Sequence, residues 1–149
     1  MAAKPSAYVL DSFALLAYLD GEAGMPRVRT LLAQAQAGTH TLYLSLINLG
    51  EVLYIIERER GLVPAQRALA AIDQLPVQMA PVSRATVLAA AHIKAHYPVA
   101  YADAFAVVAA QDHRAVLITG DPEFERVADA GWVKVEWLSR RPGPASGTA

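Results

Sequence analysis

The sequence predicts an α/β domain in which helices cover both faces of a mainly parallel sheet of about five strands, giving three layers. Short apolar runs alternate with longer helical patterns along most of the chain. With 149 residues and 54% hydrophobic content, the chain is long and apolar enough to bury a core. We expect a single domain over residues 1–149, with an ordered core at about 7–138 and a flexible segment at 139–149.

The predicted strands and helices are separated by residues that favour helix ends. Strands are expected at 8–10, 41–44, 77–82, 116–119 and 133–137. Helices are expected at 13–19, 26–37, 46–60, 64–75, 84–96 and 102–113, with a short one after Pro122. Ser45 and Ser83 stand where N-caps belong, and Gly61 stands where the helix at 46–60 should stop.

Composition excludes several classes of protein. The chain has no cysteine, which rules out disulfides, thiolate catalysis and zinc sites built on cysteine, and which fits a cytoplasmic location. Asp11 interrupts the apolar run at 7–19, so that run predicts neither a signal peptide nor a membrane span. The net charge of -1 gives the whole chain no general attraction to nucleic acid or to an anionic membrane.

Four acidic residues occupy positions that a parallel sheet brings to one edge. Asp11 and Asp121 directly follow the first and fourth predicted strands. Glu51 lies in the second turn of the helix after the second strand, and Asp103 opens the helix that leads to the fourth. Because ligands of such sheets bind beyond the carboxyl ends of the strands, we expect these four residues, the acidic tetrad, to share a site.

Most members of the acidic tetrad are isolated from other charges in the sequence. Asp103 is the only charged residue within 97–110, Glu51 the only one within 41–56, and Asp11 the only one within 5–19. An N-cap role would explain Asp11 or Asp103 alone, but three isolated acids together need a counter-charge if they are buried. Carboxylates without cysteine favour a hard cation, Mg²⁺ or Mn²⁺, over zinc.

The histidines do not offer a competing metal site of comparable strength. His92 and His96 are spaced i, i+4, but the glutamate that a metalloprotease helix places after its first histidine is absent, because Ile93 stands there. We interpret both as surface or core residues. His40 and His113 stand at the edges of predicted elements and are interpreted as structural.

Four short segments carry a family resemblance. Residues 9–19 resemble the opening of PIN-domain ribonucleases, and residues 45–52 resemble the segment that supplies their second acid. Residues 103–110 and 119–124 resemble the segments that supply their third and fourth acids. Each segment is weak alone, but the four occur in the right order and together span about 8–135. The size of the chain is most similar to that of VapC-type toxins of bacterial toxin–antitoxin pairs.

The resemblance implies a metal-dependent endoribonuclease that uses Mg²⁺ or Mn²⁺, acts on RNA, and leaves 5′-phosphate and 3′-hydroxyl ends. It makes the acidic tetrad the metal ligands, and it leaves open whether one or two ions bind. It also implies a homodimer and a small antitoxin whose segment covers an apolar groove. The resemblance also implies that Ser12 and Asn48 are polar groups that lie beside the acids or face substrate. It further implies that the hydroxyl of Thr119 orients Asp121 and that Glu123 is a supplementary acid.

Two other functions compete with this interpretation. A haloacid-dehalogenase-type phosphatase also places an aspartate after its first strand, but it needs a second acid two residues later, where this chain has Phe13. A PIN-like module that binds RNA or protein without cutting would not need an intact acidic tetrad. The sequence therefore favours the nuclease.

Overall fold

Strands and helices alternate along residues 4–138, which are the residues that the computed structural model describes. The predicted flexible segment at 139–149 lies outside these residues. The strands are β1 (Ala7–Leu10), β2 (Thr41–Ser45), β3 (Val77–Ala80), β4 (Val116–Thr119) and β5 (Val135–Trp137). The helices are α1 (Ser12–Asp20), α2 (Met25–Gln36), α3 (Leu46–Arg60), α4 (Leu62–Asp73), α5 (Arg84–His96), α6 (Tyr101–Asp112) and α7 (Glu125–Asp129), with a 3₁₀ turn at Pro122–Phe124.

The five strands form one parallel sheet in the order β3-β2-β1-β4-β5. The chain builds outward from β1 to β3 on one side and then returns to add β4 and β5 on the other. The direction of building therefore reverses between β1 and β4, which is where a parallel sheet opens a crevice beyond its strand ends. This arrangement confirms the predicted three-layer α/β fold.

The two faces of the sheet bury different sets of helices. Along β1, Val9 packs into a cluster with α5, α6 and α7, whereas its neighbours Tyr8 and Leu10 pack with α1 and α2 on the other face. A third cluster joins Leu44 of β2 to α3 and α4. Because successive side chains of a strand point to opposite faces, these contacts require helices on both sides.

Helix α6 is the most deeply buried helix described, since every side chain from Asp103 to Ala110 is buried. Small alanine side chains at four of these positions let the helix lie close to the sheet and to α5. The isolation of Asp103 in the sequence is thus explained, because its neighbours fill the core.

The boundaries of the elements differ slightly from the predicted ones. Strand β3 ends at Ala80 instead of residue 82, because Pro81 has no N–H to continue the ladder. Gly61 separates α3 from α4 with a φ of 99°, a conformation that favours glycine. Within residues 4–138, no helix has the length and apolar character needed to cross a bilayer.

Ser83 offers a test of the local signals that start α5. Its hydroxyl accepts a hydrogen bond from the Thr86 N–H at 3.2 Å, and the Thr86 hydroxyl accepts one from the Ser83 N–H at 2.7 Å. We expect Ser83→Ala to lower the free energy of unfolding by about 1 kcal/mol, because the Thr86 N–H loses its side-chain acceptor. Urea denaturation measures this, and Ser83→Asp should retain most of the stability. Equal loss in both variants would contradict the capping role.

Candidate metal centre

Asp11 stands at the carboxyl end of β1, and two donors hold its carboxylate. One oxygen accepts the backbone N–H of Ala14 at 2.8 Å, so Asp11 is the N-cap of α1. The other oxygen accepts the hydroxyl of Thr119, at the end of β4. The side chain is only 1% exposed, so its orientation is fixed across the junction of the two central strands.

Glu51 extends from α3 toward the same junction. One carboxylate oxygen accepts the hydroxyl of Ser12 and, at 3.5 Å, the side-chain amide of Asn48. The same amide donates to the carbonyl of Ala102 at 3.3 Å, one residue before Asp103. Asn48 therefore joins α3 to the start of α6 and keeps their acids together.

Asp103 and Asp121 complete the acidic tetrad from α6 and from the loop after β4. Asp121 accepts the N–H of Glu123 at 2.9 Å, and its own N–H donates to the Thr119 hydroxyl at 3.0 Å. Carboxylate oxygens of Asp103, Asp121 and Glu123 all lie within 4.8 Å of one another. Asp103 is not an N-cap, since Ala100 takes that place in α6, so capping does not account for its position.

The acids strongly influence one another. Burial, a hydrogen bond with Glu123 and the charges of the other three tetrad members raise the pKa of Asp103 to about 8. Burial raises the pKa of Asp11 to about 7, with smaller contributions from Asp121 and Glu51, although its hydrogen bonds with Thr119 and Ala14 lower it. Placing several carboxylates at close range without a counter-ion therefore costs free energy at neutral pH.

In the part of the chain that the structure describes, no basic side chain forms an ion pair that would neutralise these carboxylates. The two ion pairs of this part of the chain, Arg27 with Glu136 and Arg60 with Asp20, involve none of the tetrad. The close group of carboxylates formed by Asp103, Asp121 and Glu123 suits hard divalent ions such as Mg²⁺ and Mn²⁺, and Asp11 and Glu51 lie outside this group. The residues present thus fit such an ion.

The predicted polar residues all contact the tetrad, each in a particular way. Ser12 and Asn48 donate to Glu51, and Asn48 is fully buried, so it supports the acids and does not face solvent. Thr119 was expected to orient Asp121 through its hydroxyl. That hydroxyl accepts the backbone N–H of Asp121 and donates to the carboxylate of Asp11. Glu123, expected only as a supplement, lies directly beside Asp103 and Asp121. Its signal in the sequence is an acid two residues after Asp121.

The four histidines make their observed contacts with other residues. His92 and His96 contact each other at 4.7 Å between ring centroids, and His92 also contacts Trp132. His40 bonds to the carbonyl of Leu31 at 2.9 Å, and His113 stacks on a tyrosine of β2. None of them supplies a donor to the tetrad.

Known proteins share this fold, although no curated protein sequence matches the chain. VapBC2 of Rickettsia felis, solved with a DNA fragment from its promoter, aligns with a TM-score of 0.70 and 15% identity over 89% of this chain and 99% of that one. VapC20 of Mycobacterium tuberculosis, a toxin that cleaves the sarcin–ricin loop, aligns with a TM-score of 0.64 and 18% identity over 87% of this chain and 98% of that one. VapBC-1 of nontypeable Haemophilus influenzae aligns with a TM-score of 0.63 and 20% identity over 88% of this chain and 97% of that one.

These structural alignments show a common fold at low identity. The sequence pattern of the PIN domain family, in addition, matches residues 8–130. That match includes all four positions of the acidic tetrad and most of the ordered elements. The chain belongs to the PIN domain family.

Proposed function

We propose that this PIN-domain chain is a Mg²⁺- or Mn²⁺-dependent endoribonuclease that hydrolyses RNA phosphodiester bonds, and that it is the toxin of a toxin–antitoxin pair. The observation that carries the proposal is the meeting of the acidic tetrad at the reversal of strand order, where no basic side chain of residues 4–138 forms an ion pair with any of its members. A divalent ion and an RNA phosphate are the partners that such a site suits.

The tetrad members, with Glu123 beside them, would hold the ion. When bound, a divalent ion lowers the pKa of a water molecule and neutralises charge that develops on the phosphate. The chain's own contribution is orientation. The hydroxyls of Thr119 and Ser12 and the amide of Asn48 fix the carboxylates of Asp11 and Glu51 before any ligand arrives.

A carboxylate of the site that is not engaged by the ion accepts the proton of the attacking water. Since water is the nucleophile, the neighbouring 2′-hydroxyl takes no part in bond formation. Cleavage then leaves 5′-phosphate and 3′-hydroxyl ends, as the family resemblance implies.

The proposed partners of the chain are a small antitoxin and a second copy of itself, in the cytoplasm. Several solved relatives are toxin–antitoxin complexes, which supports the antitoxin. Helices α3 and α4 also expose large apolar side chains, namely Leu46, Tyr54, Leu62 and Val63, each at least 43% exposed. Exposed apolar side chains of this size are candidates for contact with another protein.

The first prediction concerns the metal requirement. Cleavage of single-stranded RNA should need Mg²⁺ or Mn²⁺ and stop in EDTA, and Asp103→Asn should lower the rate by more than about 100-fold, because even residues behind the ligands typically contribute about 10–100-fold. Gel analysis of labelled RNA measures both effects. His92→Ala is the control and should change the rate by less than about tenfold, or about 1.4 kcal/mol. Full activity in chelator would overturn the metal mechanism.

The second prediction separates hydrolysis from internal transesterification. An oligonucleotide with one 2′-deoxy substitution at the scissile position should still be cut, because the 2′-hydroxyl is not the nucleophile. Mass spectrometry of the products should find 5′-phosphate ends. Complete resistance of the substituted strand, together with cyclic-phosphate products from ordinary RNA, would assign the chemistry to a different mechanism.

The third prediction concerns stability without metal. The folded pKa values of Asp11, about 7, and Asp103, about 8, lie above the ordinary value of 3.8. The native state therefore holds more protons than the unfolded chain between these limits, and the free energy of unfolding should fall as the pH rises from about 4 to about 8. Asp103→Asn removes one charge and should stabilise the metal-free protein at pH 8 by about 1–3 kcal/mol, since one pKa unit corresponds to about 1.4 kcal/mol.

Thermal melts in EDTA across this pH range test the third prediction. Added Mg²⁺ should stabilise the wild type more than Asp103→Asn, because the variant has lost a ligand. Asp73→Asn is the matched control, since Asp73 is exposed near the end of α4 and should leave the pH dependence unchanged. If Asp103→Asn melts lower than the wild type in EDTA and gains equally from metal, Asp103 has a purely structural role.

A further inference from the structure

An exposed aromatic ring stands beside the acidic tetrad. Phe13 is the second residue of α1 and directly follows Asp11 and Ser12, both of which are buried at the site. Its side chain is 40% exposed, although the next two residues of the helix are buried in the core. The two hydrophobic clusters to which α1 contributes are formed by other side chains. The ring therefore lies outside the hydrophobic core.

The ring of Phe13 packs closely against Gly120. A methyl group added at Gly120 would lie 2.7 Å from Cζ of Phe13 and closer still to its Cε1, so only glycine lets the ring approach. Gly120 joins Thr119 to Asp121. Phe13 is thus attached by sequence to Asp11 on one side of the site and packs on the residue before Asp121 on the other.

The charge of the protein makes such a ring important for an RNA substrate. Phosphate contacts ordinarily supply most of the affinity of nucleic-acid binding and require basic side chains. Here the net charge is -1, and the influences on the pKa of Asp11 and Asp103 come from burial, hydrogen bonds and other acids. Stacking on an aromatic ring is a source of affinity that needs no positive charge.

We infer that Phe13 is a nucleobase-stacking subsite that takes one unpaired base of the strand whose phosphate lies at the acidic tetrad. The inference rests on the proposed function, because it presupposes RNA at the tetrad. A base within a duplex keeps its faces stacked on its neighbours, so the ring selects single-stranded or looped RNA. Gly120 is the positioning residue for this subsite, since it holds the ring against the loop that carries Asp121.

Binding of a single-stranded RNA that contains 2-aminopurine tests the inference, in an Asp103→Asn background that prevents cleavage. Stacking on Phe13 should quench the fluorescence of the probe. Phe13→Leu should weaken binding about tenfold or more, which corresponds to about 1.4 kcal/mol, and should abolish the quenching. Phe13→Trp should restore both. Trp132→Leu is the control, because Trp132 is similarly exposed at 36% but contacts His92 and Tyr97.

Three further measurements separate stacking from a general effect on folding. Duplex RNA of the same sequence should bind equally to wild type and Phe13→Leu, because it presents no free base. With the acids intact, Phe13→Leu should raise the KM for single-stranded RNA more than it lowers kcat. Gly120→Ala should weaken single-stranded binding as Phe13→Leu does, and combining the two changes should add little, since both displace the same ring.

The outcomes distinguish this inference from the proposed function. If the wild type cleaves RNA but Phe13→Leu binds single strands as tightly as wild type, the subsite is wrong and the nuclease stands. If Phe13 governs single-strand binding but no metal supports cleavage, the subsite stands and the nuclease is wrong. If Phe13→Leu impairs binding of an antitoxin peptide but not of RNA, the ring belongs to a protein interface and the inference is overturned.

Discussion

The burial of carboxylates that have no basic partner among residues 4–138 is the constraint on which the rest of this structure depends. At the junction of β1 and β4, Asp11 and Asp103 lie almost out of solvent, and the pKa of each is raised to about 7 and about 8. A buried charge needs compensating interactions. Within residues 4–138, Thr119 and Ala14 donate to Asp11, and Ser12 and Asn48 donate to Glu51. The ion pairs of arginine in this part of the chain involve other acids.

This choice of donors has a chemical consequence. A neutral donor fixes the direction of a carboxylate but leaves its charge in place, whereas an arginine would cancel the charge and compete with a metal ion. The site therefore keeps both its geometry and its acidic character. The fold accommodates the repulsion between these acids because buried elements hold each of them in place. Eight consecutive buried positions of α6 anchor Asp103, and the central strands β1 and β4 anchor Asp11 and Asp121.

The topology of the sheet explains why residues from four parts of the chain meet. Parallel strands align their carboxyl ends, and the reversal of strand order between β1 and β4 separates the connections that leave those ends. Asn48 then ties α3 to α6 by bonding both to Glu51 and to the carbonyl of Ala102. The apolar framework and the acidic site are thus parts of one arrangement. Helices α3 and α6, which cover the sheet, carry Glu51 and Asp103, and strands β1 and β4 lead to Asp11 and Asp121.

The sequence by itself determined the order of strands and helices, the parallel sheet and the four acids, because local signals carry this information. Apolar periodicity marks strands and helices, Ser83 caps a helix, and an isolated charge such as Asp103 stands out in an apolar run. Only the tertiary structure decided which groups touch. The Thr119 hydroxyl reaches Asp11 across 108 positions, Phe13 packs on Gly120, and Glu123 lies beside Asp103. Such contacts depend on strand order and helix placement, which no local pattern of residues encodes.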